Sequence, residues 1–120
     1  MEVRARSYKD LNVWKASVTL IKKVYTVAEQ LPKSEEFNLK QQLKRAVVSV
    51  ALNIAEGKNR RTARDFSHFL NLSVASLAEV EAILLICEEL GYIDRQVHVC
   101  EEINTLGKMI NALRNTLIKE

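Results

Sequence analysis

Apolar residues recur at steps of three and four along most of the chain, and four such stretches predict four helices. The first, over about 9–31, carries Leu11, Trp14, Val18, Ile21, Tyr25 and Ala28 on its core face, with a second line of Val13, Leu20, Val24, Val27 and Leu31 beside it. Pro32 ends it, lacking the N–H that a continuing helix needs. The second runs over 34–57, with Ser34 as N-cap, Gly57 as a left-handed C-terminal cap, and Leu39, Leu43, Ala46, Val47, Val50 and Ile54 turned inward. The third, over 62–91, opens at Thr62, where Thr-Ala-Arg-Asp resembles a capping box with Asp65 in place of Glu, and closes at Gly91. The fourth, over 94–119, repeats Val99, Ile103, Leu106, Ile110, Leu113 and Leu117 at the alternating spacings of a bundle seam. Short connections make consecutive helices antiparallel, so the fold class is all-α: an up-down-up-down four-helix bundle, one domain over 1–120.

Some apolar residues fall outside these stripes. Val48, Leu52 and Ala55 in the second helix and Leu85 and Ile86 in the third, together with the second line of helix one, either widen the core stripes or form surface that one bundle leaves uncovered. Exposed apolar lines of this kind mark contacts, and a homo-oligomer is the expectation.

The second helix also carries an unusual polar line. Gln42, Arg45, Ser49, Asn53 and Glu56 follow steps of three and four, so at about 3.6 residues per turn they form one stripe beside the apolar one. A solvated face would hold more Lys and Glu and less Ser and Asn. The stripe therefore reads as a hydrogen-bonded seam in which Gln42, Ser49 and Asn53 meet Ser73, Ser76 and Glu79 across a helix or subunit contact. Arg45 and Glu56 lie about three turns apart on one helix, too far to pair with each other.

Length, composition and charge narrow the class. At 120 residues and 48% hydrophobic content, with three Gly and one Pro, the chain suits one compact helical domain. Its start, MEVRARSYKD, is polar, and the longest apolar run, Ala82 to Cys87, is far shorter than a membrane span, so a soluble, cytoplasmic protein without membrane attachment is expected. Cys87 and Cys100 both fall in helices and read as reduced thiols. The net charge is +3, but residues 1–64 hold 14 Lys and Arg against 6 Asp and Glu, whereas residues 65–120 hold 4 against 9. Such asymmetry suits a basic surface for nucleic acid or subunits that meet basic face to acidic face.

No constellation supports catalysis, a metal or a cofactor. Asp65 and His68 have the spacing of half a di-iron site, but no second copy follows. His98 stands two residues from Cys100 with no partner at ligand spacing. Gly57-Lys58 lacks the upstream Gly and the following Ser or Thr of a phosphate-binding loop, and no nucleophile motif is present.

Several ordered motifs carry a resemblance. Leu11-Asn12-Val13-Trp14, Leu31-Pro32 with Glu35 and Leu39, Gln42-Leu43-Lys44-Arg45-Ala46, Ser49 and Asn53-Ile54-Ala55-Glu56-Gly57 are followed by Phe66, Phe69-Leu70, Ser76-Leu77-Ala78-Glu79 and Leu90-Gly91-Tyr92-Ile93. In this order the chain resembles the bacterial four-helix bundle proteins encoded within intervening sequences of 23S rRNA genes, sometimes called ribosomal proteins. Asn38 stands where that family often has Gly, and Ala51 where Pro often lies. The resemblance implies closed homopentamers and a link to nucleic acid. It also extends to the accessory proteins of diversity-generating retroelements, which bind a reverse transcriptase and nucleic acid.

The functional expectation is a non-catalytic, homo-oligomeric bundle that associates with RNA or DNA. Its phosphate-binding cluster is Lys58, Arg60, Arg61 and Arg64, at a loop and the first turn of the third helix, with Arg4, Arg6 and Lys9 able to add to it. The alternative is a scaffold that recruits another polypeptide through the acidic faces around Glu79, Glu81, Glu88 and Glu89.

Overall fold

The computed structural model describes residues 7–118, so Arg4 and Arg6 lie outside the described residues. Four helices form an antiparallel up-down-up-down bundle: α1 (Asn12–Ala28), α2 (Leu39–Lys58), α3 (Ala63–Glu89) and α4 (Val97–Ile118). Each packs on the next, and α1 closes against α4. The result is a rod of 51 × 24 × 23 Å.

Four helix ends differ from the sequence expectation. A 3₁₀ turn, Tyr8–Asp10, precedes α1, and α1 stops at Ala28 because the chain tightens into 3₁₀-type turns that carry buried Leu31 back under the bundle before Pro32. The second helix starts at Leu39 rather than Ser34. Residues Lys33–Glu35 form a separate 3₁₀ turn, and the Glu35 carboxylate accepts the Leu39 N–H at 3.3 Å and the Asn38 side-chain amide at 3.0 Å. The fourth starts at Val97 rather than Asp94, with the Gln96 N–H donated to Glu88 at 2.9 Å. A carboxylate reaching over from elsewhere thus does the capping at both starts.

The glycine roles are exchanged. Gly57 is helical and continuous with α2, whereas Gly91 has φ +78° and is the left-handed residue that terminates α3. The Gly91 N–H reaches the Glu88 carbonyl and the Tyr92 N–H the Cys87 carbonyl, both at 3.0 Å, the paired bonds of a Schellman ending.

In α2 and α4 the predicted stripes hold: Leu43, Val47, Val50, Ile54, Leu106 and Ile110 are all fully enclosed, and Leu70, Val80 and Leu84 of α3 join them. Helix α1 inverts the reading. Its core face is Val13, Ser17, Leu20, Val24, Val27 and Ala28, while Leu11, Trp14 and Ile21 are only partly covered and Tyr25 is exposed. Ser17 tolerates full burial because its hydroxyl donates to the Val13 carbonyl at 2.7 Å. By length and composition α3 is apolar enough to cross a membrane, but it packs between α2 and α4, where its Leu and Val residues build the core.

The α3–α4 turn is tied to the α1–α2 turn. Tyr92 donates its hydroxyl to Glu35 at 3.1 Å, and this bond, followed by burial, raises the Tyr92 pKa above the ordinary value. A raised pKa means that the fold favours the neutral phenol. Its contribution is complete below the unfolded tyrosine pKa of ~10 and disappears as pH rises through the folded value. Ultraviolet titration is expected to show one tyrosine ionising late, and Tyr92→Phe to remove that late component and flatten the alkaline loss of stability.

Candidate nucleic-acid interface

Close approach of two helices builds the basic loop. A Cβ on Gly57 would lie 2.8 Å from Phe69 Cβ, 2.9 Å from Phe66 Cδ1 and 3.3 Å from the Phe66 carbonyl, so only glycine lets the end of α2 touch the start of α3. The connection then needs only Asn59 to Thr62. Thr62 caps α3, its side-chain oxygen accepting the Asp65 N–H at 3.0 Å, as the sequence predicted.

The four cations on this turn are not equivalent. Arg60 is held by Glu56 at 2.7 Å and lies 4.7 Å above the centre of the Phe69 ring. Its charge is largely committed within the chain. Arg61 and Arg64 are exposed and Lys58 is half-buried, and none has an ionic or hydrogen-bonding partner among the described residues. They surround the N-terminus of α3, whose first N–H groups point the same way. Antiparallel packing brings two more cations to this end of the rod: Lys9 before α1, and Arg114 on α4, which donates to Asn71 at 2.8 Å. Phe69 beneath Arg60 was not anticipated. The sequence signal was Phe at 66 and 69, one helical turn apart, just after the glycine.

The polar stripe separates into a seam and a surface. Ser49 and Ser76 share a hydrogen bond of 2.8 Å across α2 and α3, and the Asn53 amide donates to the Ser49 carbonyl at 2.9 Å and to its hydroxyl at 3.1 Å. Buried Ser73 donates to the Val50 carbonyl. Gln42 instead turns back to Asn38 at 2.9 Å, and Glu56 goes to Arg60. Arg45 and Glu79 are exposed and have no such partner among the described residues.

Other candidates stay apart. His68 is exposed, edge-on to Phe69 at 5.5 Å, and among the described residues no group of three or more His, Cys, Asp or Glu could hold a metal ion. Both cysteines are free, and Cys87 is fully buried.

Comparison with known proteins agrees with this architecture. The profile of the 23S rRNA-intervening sequence proteins matches residues 9–112. The chain belongs to that family. A similar solved structure is a protein of unknown function from the S23 ribosomal protein family of Bacteroides thetaiotaomicron, with a TM-score of 0.78 and 20% identity over 86% of this chain and 95% of that one. At that identity the likeness speaks for the fold alone. No curated protein matches the chain. The family membership and the bundle agree with one another, and the family's proteins include members of unknown function.

Proposed function

We propose that this family member is a non-catalytic, cytoplasmic homo-oligomer that associates with RNA through its basic end. The observation carrying the reading is the unpartnered set Lys58, Arg61 and Arg64 around the N-terminus of a long helix, on a turn held rigid by the Gly57 contact. Contacts of this kind read phosphate rather than base sequence, so binding is weakly selective and falls steeply with salt. Several copies in a ring multiply a modest site into useful avidity.

Self-association draws support from the outer face of α2 and α3. Leu72, Glu79, Ile86 and Leu90 recur at steps of seven and four on α3, and Leu52 stands out from α2, 63% exposed. With Arg45 and Glu79 unpaired beside these apolar residues, the face has the composition of a subunit contact. The family resemblance supports a ring of five subunits.

The test is single-stranded RNA binding by fluorescence anisotropy over a salt series, with native mass spectrometry on the same samples. Changing Arg60, Arg61 and Arg64 together to Glu is expected to abolish binding and leave the subunit count unchanged. Arg60→Gln alone is expected to cost little, because Glu56 already holds that guanidinium. Unchanged affinity in the triple variant places the RNA site elsewhere.

A further inference from the structure

A second surface, of opposite charge, runs along the α3–α4 seam. It is a groove in two adjoining stretches, about 410 Å³ and about 290 Å³, which share Glu81 and Asn104 in their walls. On α4 it extends from Val97 to Asn111, about 20 Å at the helical rise, or four turns. Small residues leave it room: Ala78 and Gly107 both line this stretch, and a Cβ on Gly107 would meet only Leu77 Cδ1, at 3.8 Å. The glycine leaves open space here, in contrast to the crowded Gly57.

Three features of the groove point to one kind of occupant. Leu85 and Val97 lie in its wall at 49% and 48% exposure and offer apolar surface to an occupant. Glu81 lies at its middle, exposed and with no ionic or hydrogen-bonding partner among the described residues, while Glu101 lines the stretch toward the start of α4 and Glu88 sits at that end, where it already accepts the Gln96 N–H. Glu101 meets only exposed His98, at 3.6 Å. Further along, the Asn111 side-chain oxygen is buried in the wall and accepts no hydrogen bond. Arg95 shares the α4-start end of the groove with Glu88 and Lys108 stands in the other stretch, leaving Glu81 and Glu101 as the carboxylates between them. The field there is felt by Cys100, whose thiol pKa is raised by burial and then by Glu81 and Glu88.

We propose that this groove docks an amphipathic helix of a partner polypeptide, with an aliphatic side chain over Leu85 and Val97, Lys or Arg against Glu81, Glu88 and Glu101, and a donor for Asn111. A helix-in-groove contact matches the shape, about four turns long and open along one side. Charge complementarity selects a cationic helix and rejects a polyanion such as RNA, so the surface is separate from the basic end.

The probe is a fluorescein-labelled synthetic Leu/Lys amphipathic helix of about four turns, compared with the same peptide bearing Glu for every Lys. Cys100 lines the groove and reports on it by its rate of alkylation, while fully buried Cys87 serves as the internal control. The Lys peptide is expected to bind on the order of tenfold more tightly than the Glu peptide and to slow Cys100 alkylation. Gly107→Leu, which fills the groove, and Glu81→Arg, which reverses its charge on an exposed position, are each expected to weaken binding by about tenfold. The triple Arg60, Arg61, Arg64 to Glu variant keeps full peptide binding, which separates this proposal from the RNA reading. Equal binding of the two peptides, unprotected Cys100, indifference to both groove variants, or protection of Cys100 by RNA overturns it.

Discussion

Gly57→Val is expected to be among the most damaging single substitutions in the chain. The added Cβ alone would stand 2.8 Å from Phe69 Cβ and 2.9 Å from Phe66 Cδ1, inside any tolerated contact, and the Phe66 carbonyl at 3.3 Å blocks escape on the backbone side. Overpacking of this kind costs about 3 kcal/mol, which for a domain of this size lowers Tm by roughly 12 °C. The diagnostic variant is Gly57→Ala. Intrinsic helix propensity favours Ala over Gly by about 1 kcal/mol, so a helix interior free of contacts gains stability from the change. Here a loss is expected, and thermal melts followed by circular dichroism separate the two. A stabilised Gly57→Ala protein would mean that α2 and α3 do not approach as closely as described. Because this contact sets the turn, the damage reaches the position of Arg61 and Arg64 as well.

Leu20→Ala is expected to cost about 3 kcal/mol, and Tyr25→Ala no more than about 1 kcal/mol. Leu20 is fully enclosed, so truncation leaves a cavity beside Val24 and Val27 in the bundle core. Tyr25 is 38% exposed at the α1–α2 edge, where its ring receives the Lys44 ammonium at 4.8 Å. Urea denaturation of the two variants checks the order. The reverse order would restore the core face that a simple hydrophobicity count assigns to α1.

That face shows where the sequence was legible and where it was not. In α2 and α4 the inward residues are aliphatic and uninterrupted, and periodicity alone identifies them. In α1 two apolar lines compete. The line with Trp14, Ile21 and Tyr25 is bulkier, but aromatic side chains with a polar end suit an edge where that end meets water. The true core line is interrupted by Ser17, whose hydroxyl is satisfied by its own helix and so leaves no mark in the pattern. Gly57 was misread for a related reason: a glycine before a loop is usually a cap, and only the facing Phe66 and Phe69 reveal a packing role. The polar stripe was half legible. Ser49 and Ser76 meet as composition suggested, but periodicity cannot foresee that Gln42 and Glu56 find partners four residues away, just beyond the two ends of their helix. In the basic loop, residue type identified four cations, and geometry removed Arg60 by pairing it with Glu56.

Antiparallel packing has one more effect on the charges. The starts of α1 and α3 and the ends of α2 and α4 share one tip of the 51 Å rod, where Lys9, Lys58, Arg61, Arg64 and Arg114 gather. The opposite tip holds Glu29, Glu35, Glu36, Glu88, Glu89 and Asp94 beside Lys33, Lys40, Lys44 and Arg95, with Glu29 and Glu36 paired to the lysines, so it is acidic only by a small margin. Each subunit is therefore a permanent electric dipole along its long axis. Torque from a polyanion turns such a rod end-on before any contact is made, so its approach is oriented by the field rather than by random tumbling. Subunits held side by side and pointing the same way would add their moments, giving one cationic rim and one anionic rim.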